Sequence, residues 1–270
     1  MKRIVLCADD FALNQQVSQG IIALARSGRL SATSVMVLAP RWSQDAAGLR
    51  ELRGRIDVGL HLDWTSDFAL AQGHGMSLGA VMRRAVLRGL DEARARVVIE
   101  RQLDAFELHW KAPPDHVDGH QHVQQFDGIR QALVAALRQR YGAPLPYLRV
   151  SRVVATGLAF KSRIITAMGA SDLQRLADGA QIAHANWLVG SYDFAPEPTR
   201  YAGLMQLWLC DAPDGCIIMC HPAQPGAQDD PIAAARAVER DYLASAAWPA
   251  ALQQNQAVLA RGAGLFGAAG

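Results

Sequence analysis

The chain has no long apolar run and almost no net charge, and both absences narrow the class of protein. Half of its 270 residues are apolar, yet nowhere do about 18 apolar residues follow one another, as a transmembrane helix requires. The apolar run after Met1 is too short for a signal peptide and leads straight into Asp9 and Asp10. The formal net charge of +2 gives no reason to expect nucleic acid or an anionic membrane surface as a partner. We therefore expect a cytoplasmic protein.

Cysteine is scarce, and a glycine-rich nucleotide fingerprint is missing. The four cysteines show no CxxC spacing, so neither a cysteine-bound zinc nor a dithiol redox pair is expected. Cys7, Cys216 and Cys220 lie inside apolar runs, where a cysteine is usually a small buried side chain. No GxGxxG follows the first predicted strand, which argues against a dinucleotide-binding fold.

Predicted strands alternate with predicted helices along the chain, which is typical of an α/β protein with a parallel sheet. About seven strands predict a (β/α) barrel of TIM-like type, incomplete or distorted, as a single domain over 1–270. An open doubly wound sheet is the alternative. Strands are predicted at 3–8, 33–38, 56–62, 115–118, 147–151, 181–185 and 215–220; helices are predicted at 14–27, 77–88, 92–110, 127–141, 158–168 and 200–211, with two more in 231–260.

The segment Asp118-Gly-His-Gln-His122 places a carboxylate and two imidazoles within five residues. Side chains two residues apart share one face of an extended strand. We therefore expect Asp118, His120 and His122 to point the same way. Imidazole and carboxylate are the ligands that a borderline divalent metal prefers. A solvated turn rich in histidine is the simpler alternative.

Polar side chains also follow the other predicted strands. In barrel enzymes the site is assembled at the carboxyl ends of several strands, so these residues are expected to lie together. Jointly they predict a mononuclear metal site with an acid, a base and a clamp for an anion or a sugar. The residues are, in chain order, Asp9, Asp10, His61, Asp118, His120, His122, Arg149, Arg152 and His221.

Each of these features has a simpler structural alternative when it is taken alone. The two adjacent aspartates could cap the next helix, as could Asn14. His61 lies in apolar company and could be a buried histidine with satisfied hydrogen bonds. His221 could anchor a loop before Pro222, and the two arginines could form ordinary salt bridges.

Four stretches carry a resemblance to a known family. They are Ala8-Asp-Asp-Phe11, Val58-Gly-Leu-His-Leu62, His116-Val-Asp-Gly-His-Gln-His122 and Met219-Cys-His-Pro222. In sequence and in order they resemble the motifs of the YdjC/ChbG/HpnK family of carbohydrate deacetylases. The resemblance implies a (β/α) barrel that removes acetyl groups from N-acetylated sugars, and it also implies a homodimer.

The resemblance assigns a role to each matching residue. It implies one divalent metal ion bound by Asp10, His61 and His120, with Asp9 as the general base and His221 as the general acid. Two nitrogen ligands and one carboxylate favour Zn²⁺, whereas the family also admits Mg²⁺.

The neighbouring polar and aromatic residues receive supporting roles in this scheme. Asp118 is expected to orient a ligand imidazole, and His122 to contact the substrate or a ligand. Arg149 is expected to bind sugar hydroxyls or to keep the general base ionised. Trp187 and Tyr192 are candidate stacking surfaces for a sugar ring, with packing in the core or in a lid as the alternative.

Two positions depart from the family pattern. Ala12 stands where the family commonly has glycine, and Gln124 where a third histidine often follows. Both are expected near the substrate, so they leave the choice of sugar open. The rival functions are a metal-dependent phosphoesterase on a barrel, which usually holds two or three metals, and a sugar-binding protein that has lost catalysis.

Overall fold

The computed structural model describes residues 1–154, 166–227 and 229–267. Within these ranges one sheet contains nine strands: β1 (Lys2–Phe11), β2 (Ala32–Val35), β3 (Asp57–Leu62), β4 (His116–Gly119), β5 (Tyr147–Arg149), β6 (His184–Ala185), β7 (Leu188–Val189), β8 (Cys216–Cys220) and β9 (Ala257–Leu259). The helices are α1 (Gln15–Arg26), α2 (Trp42–Arg50), α3 (Asp67–Ala71), α4 (Leu78–Val86), α5 (Glu92–Trp110), α6 (Ile129–Arg140), α7 (Ala170–Gly179), α8 (Pro198–Asp211), α9 (Ala233–Ala244), α10 (Ala247–Gln254) and α11 (Gly262–Phe266). A 3₁₀ segment, His120–Gln125, follows β4.

The sheet is parallel and closes almost completely into a barrel. Its strands follow the order β6-β5-β4-β3-β2-β1-β8-β7, and β9 pairs with the start of β1. A bridge between Val153 and Leu188 joins the chain after β5 to β7, near the other edge of the sheet. The prediction of a distorted (β/α) barrel is therefore confirmed. This geometry brings the carboxyl ends of the strands to one side of the molecule.

Strands β1 and β8 lie side by side in the sheet, and the paired segments of both are apolar. Residues 4–8 and 216–220 are buried, as expected of parallel strands that are covered on both faces. Cys7, Cys216 and Cys220 are buried in these strands, and none of the four cysteines forms a disulfide. They serve as small core side chains, as the apolar runs around them predict.

The structure differs from the predictions mainly in its short elements. Helices α2, α3, α7 and α11 and strands β7 and β9 were not predicted. Strand β9 lies where alanine-rich sequence predicts a helix, and it forms because Lys2–Ile4 of β1 offers it a parallel edge. Most of the helix predicted at 158–168 lies outside the described residues. Within the described ranges, no helix combines the length and apolarity needed to cross a membrane.

The amino end of the barrel is sealed by the last described segment. Asp57, fully buried at the start of β3, accepts hydrogen bonds from Arg261 Nε (2.7 Å), the Ala263 backbone N (2.9 Å) and the Tyr147 hydroxyl (3.2 Å). The ring of Phe266 packs on Tyr147 with 5.1 Å between centroids. Because this contact lies at the end of the barrel opposite the strand termini that carry the predicted site, its role is stability.

Asp57→Asn should destabilise the fold by about 2 kcal/mol, because the new NH₂ group replaces a carboxylate oxygen and faces at least one of the three buried donors that the carboxylate accepts from. Urea unfolding would measure this loss. The matched control is Asp214→Asn, which breaks an exposed pair with Arg3 and should change stability by no more than about 0.5 kcal/mol. Equal small effects of both substitutions would contradict the sealing role.

Candidate metal centre

The end of β1 is kinked where its two aspartates lie. Asp10 has a φ of 67° and Ala12 a φ of 74°, and the pairing with β2 shifts register between Ala8 and Phe11. Neighbouring side chains of a regular strand point to opposite faces, but here Asp9 and Asp10 both contact polar groups of the barrel interior. Helix α1 takes its cap from the Asn14 side chain, so neither aspartate is needed there.

Three side chains from different parts of the chain meet beside this kink. Asp10, His61 and His120 each offer one ligand atom, and the three atoms lie within 4.8 Å of one another. Asp10 Oδ1 is 3.1 Å from His120 Nδ1 and 3.5 Å from His61 Nε2. Asp10 and His61 are buried, whereas His120 keeps 23% of its side chain exposed. The cluster is therefore open to solvent on the His120 side.

His61 is held from behind by Asp118. Its Nδ1 lies 2.6 Å from Asp118 Oδ1 and 3.1 Å from Ser34 Oγ, which leaves Nε2 facing Asp10. Burial alone would lower the pKa of His61, but the carboxylates of Asp118, Asp9 and Asp10 together outweigh burial, and the pKa rises to about 9. A carboxylate behind an imidazole is the usual support of a histidine metal ligand. The donor set and its support therefore fit a divalent metal.

Asp9 is paired with Arg149 instead of joining this cluster. The guanidinium donates two hydrogen bonds of 2.8 Å to the two carboxylate oxygens, and Ser34 donates a third of 3.2 Å to Oδ1. Burial would raise the pKa of Asp9, but the Arg149 charge, the His61 charge and the Arg149 hydrogen bonds together outweigh burial and lower the pKa. Asp9 is thus an ionised carboxylate fixed beside the three candidate ligands.

His221 approaches Asp9 from the end of β8. Its Nε2 lies 4.0 Å from Asp9 Oδ2, and Phe194 packs edge-on against its ring with 5.1 Å between centroids. Burial lowers the pKa of His221 to about 4. An ionised carboxylate, a neutral imidazole and a metal-type cluster therefore share one end of the barrel, an arrangement that can hydrolyse an amide or an ester.

Comparison with known proteins identifies the family. A family model described as YdjC-like protein matches residues 3–254. The chain belongs to the YdjC-like family. A carbohydrate deacetylase from Mus musculus is 31% identical over 164 residues, which cover 56% of this chain and 52% of that protein. A chitooligosaccharide deacetylase from Proteus mirabilis (strain HI4320) is 28% identical over 157 residues, covering 56% and 60%. The chain spans about half the length of the first of these relatives.

A similar fold is seen in a solved structure. A proposed cellobiose-phosphate cleavage protein from Enterococcus faecalis V583 superposes with a TM-score of 0.74. The two share 18% sequence identity, and the match covers 98% of this chain and 99% of that one. At this identity the likeness concerns the fold, and it extends over the whole barrel of this YdjC-like protein.

The structure corrects the prediction that Asp118, His120 and His122 share one face of a strand. Strand β4 ends at Gly119, and the chain turns into the 3₁₀ segment with left-handed conformations at Gln121 (φ 53°) and His122 (φ 62°). His122 Nδ1 then contacts Ser151 Oγ at 2.9 Å. Burial, together with the Arg149 charge, lowers the pKa of His122 to about 3. Only His120 of the two histidines joins the cluster with Asp10.

Two predicted sugar contacts are placed inside the protein. Arg149 is 1% exposed and contacts Asp118 at 3.1 Å as well as Asp9, so it serves the carboxylates instead of sugar hydroxyls. Tyr192 is 2% exposed, and its hydroxyl donates to Glu239 at 2.7 Å. Its ring packs in the core, which was the expected alternative to stacking on a sugar ring. Trp187 is half-buried, with the Arg152 guanidinium 4.6 Å from its ring centroid.

The two departures from the family pattern concern the protein interior. Gln124 is fully buried, and its amide donates to the Arg149 carbonyl (3.0 Å) and to Ser151 Oγ (3.1 Å). Ala12 is also fully buried, in the left-handed conformation that favours glycine. Neither side chain has an exposed surface, so any influence on the choice of sugar would have to act through neighbouring residues.

Two residues of the site were missed from the sequence. Arg236 donates to Asp10 Oδ2 at 2.7 Å, and Glu239 accepts from the His221 backbone N at 2.5 Å. Both lie on α9, on the buried face that also carries Ala235 and Leu243. The available signal was the presence of an arginine and a glutamate at core positions of an amphipathic helix.

His120→Ala should abolish stoichiometric metal binding, whereas His122→Ala should retain it, because only His120 lies in the cluster. Metal content after loading with Zn²⁺ and desalting would measure the difference, and His122→Ala is the matched control from the same segment. Loss of the metal in both variants, or in neither, would contradict the assignment.

Ala12→Gly, directly after β1, should be nearly neutral for stability, whereas Ala8→Gly within β1 should cost about 1.5 kcal/mol. Each change removes one buried methyl group and adds freedom to the unfolded chain, but only the first relieves a left-handed alanine, worth about 1–2 kcal/mol. Chemical denaturation of the two variants would measure the difference. Equal losses would show that Ala12 is unstrained.

Proposed function

We propose that this chain is a metal-dependent hydrolase that removes the N-acetyl group from an amino sugar. The observation that carries the proposal is the convergence of Asp10, His61 and His120 beside the ionised Asp9 and the imidazole of His221. The relatives from Mus musculus and Proteus mirabilis, named carbohydrate deacetylase and chitooligosaccharide deacetylase, support the same activity.

The metal would be held by Asp10, His61 and His120, with His61 oriented by Asp118. When bound, it supplies a Lewis acid for the acetyl carbonyl and lowers the pKa of a coordinated water. Two imidazoles and one carboxylate favour Zn²⁺ over Mg²⁺. Asp118 contacts both His61 and Arg149, and the Arg149 charge beside it opposes a second metal of the phosphoesterase type, although Asp118 also belongs to two further groups of possible ligand atoms.

Asp9 acts as the general base in this scheme. Arg149 keeps its carboxylate ionised and fixed through two hydrogen bonds, so it is ready to accept a proton from the attacking water. His221 delivers a proton to the leaving nitrogen. Because its pKa is lowered to about 4, the imidazole starts neutral and must first gain a proton. Asp9, 4.0 Å from its Nε2, is positioned to hand over the proton taken from water.

The sugar itself would lie over the open side of the cluster. His120 is the partly exposed member of the candidate ligands, so the acetyl group would enter from that side. We propose His122 and Trp187, both half-buried, as contacts for the sugar ring. An aromatic ring offers an apolar face against which the C–H face of a sugar can pack.

Acetate release would test the activity. Metal-stripped protein reloaded with Zn²⁺ or Mg²⁺ should release acetate from at least one member of a panel of N-acetylglucosamine oligomers and N-acetylated glycolipids. Asp9→Asn should lower kcat by at least about 100-fold while keeping the metal, whereas Asp10→Asn should lose both metal and activity. Full activity of Asp9→Asn, or of metal-free Asp10→Asn, would overturn the mechanism.

A further inference from the structure

We propose that Arg236 is a positioning residue that occupies one oxygen of Asp10 and leaves the other as the only oxygen offered to the metal. The inference rests on the proposed metal site. Arg236 lies 226 residues after Asp10, outside the four family-like stretches, and is 3% exposed.

The two oxygens of Asp10 have separate partners. Oδ2 accepts a 2.7 Å hydrogen bond from Arg236 Nη2, whereas Oδ1 faces His120 at 3.1 Å and His61 at 3.5 Å. An aspartate with both oxygens free can bind a metal through either or both of them. The Arg236 contact removes that choice, so a coordination position stays open for water and for the acetyl oxygen.

Arg236 is itself held at several points. Its Nε lies 2.8 Å from Asp230 Oδ2, and its Nη1 lies 3.5 Å from the His221 carbonyl oxygen. One turn further along α9, Glu239 accepts from the His221 backbone N. The guanidinium therefore connects the Asp10 carboxylate at the end of β1 with the backbone of His221 after β8. A planar guanidinium can span these groups, whereas an ammonium acts as a single point.

Charge and geometry make opposite predictions for Arg236, which allows a sharp test. A buried positive charge next to a cation site opposes metal binding by Coulomb repulsion. An arginine that only balances charge would therefore lower the affinity for the metal ion. Removing such a residue would strengthen metal binding. An arginine that positions a ligand has the reverse effect, since loss of the outer partner of a metal ligand costs 10- to 100-fold in affinity as an order of magnitude.

The experiment is a Zn²⁺ titration of metal-stripped full chain in competition with a chromophoric chelator. Arg236→Gln should bind Zn²⁺ about tenfold more weakly or worse. Arg236→Lys keeps the charge but loses the planar set of donors of the guanidinium, so its Zn²⁺ affinity should lie between those of this variant and the wild type. The matched control is Arg240→Gln on the same helix, which removes a surface contact with Asp241 and should leave the affinity unchanged.

Unchanged or tighter Zn²⁺ binding by Arg236→Gln would overturn the positioning role. If that variant does not fold, Arg236→Lys decides the matter, because wild-type affinity in a folded lysine variant would overturn it as well. Both results differ from failure of the proposed function. A wild type that binds no Zn²⁺ or Mg²⁺ would overturn the metal site and this inference together.

Discussion

Three carboxylates buried at one end of the barrel set the constraint on which the rest of the site depends. Asp9, Asp10 and Asp118 are each at most 3% exposed, and buried charges are tolerated only when they are paired. Arg149 contacts two of them, and Arg236 contacts the third. The same carboxylates raise the pKa of His61 to about 9, so a metal ion bound by His61 would compete with a proton for this imidazole.

Several residues at the same end of the barrel have unusual backbone conformations. Asp10 and Ala12 at the end of β1, and Gln121 and His122 after β4, all have positive φ values. Such residues persist where the surroundings determine them, and they cluster at functional sites. At Asp10 the determining contacts are those with Arg236 and His120. The ion pairs that balance the buried charge therefore also hold the kink that lets two adjacent aspartates face the interior.

Much of the site was predictable because a parallel barrel leaves few choices. Once the apolar strands β1 and β8 are recognised, Asp10 and His221 must lie at the same end of the sheet, and His61 and His120 follow the same rule. The direction in which each side chain points at the end of its strand was not predictable. A period of two places His122 beside His120, but the turn after Gly119 separates them. That turn depends on packing that no local pattern records.

Partners were harder to predict than positions. Arg236 and Glu239 occupy the buried face of α9 among alanines, and a charge in such a place requires a partner. The sequence thus indicates that both must be paired, but not with what, since the choice among several carboxylates depends on differences of a few ångströms. Once the fold brings α9 over the kink, Arg236 meets Asp10 and Glu239 meets the His221 backbone. A helix without any recognised motif then supports both the candidate ligand and the candidate acid.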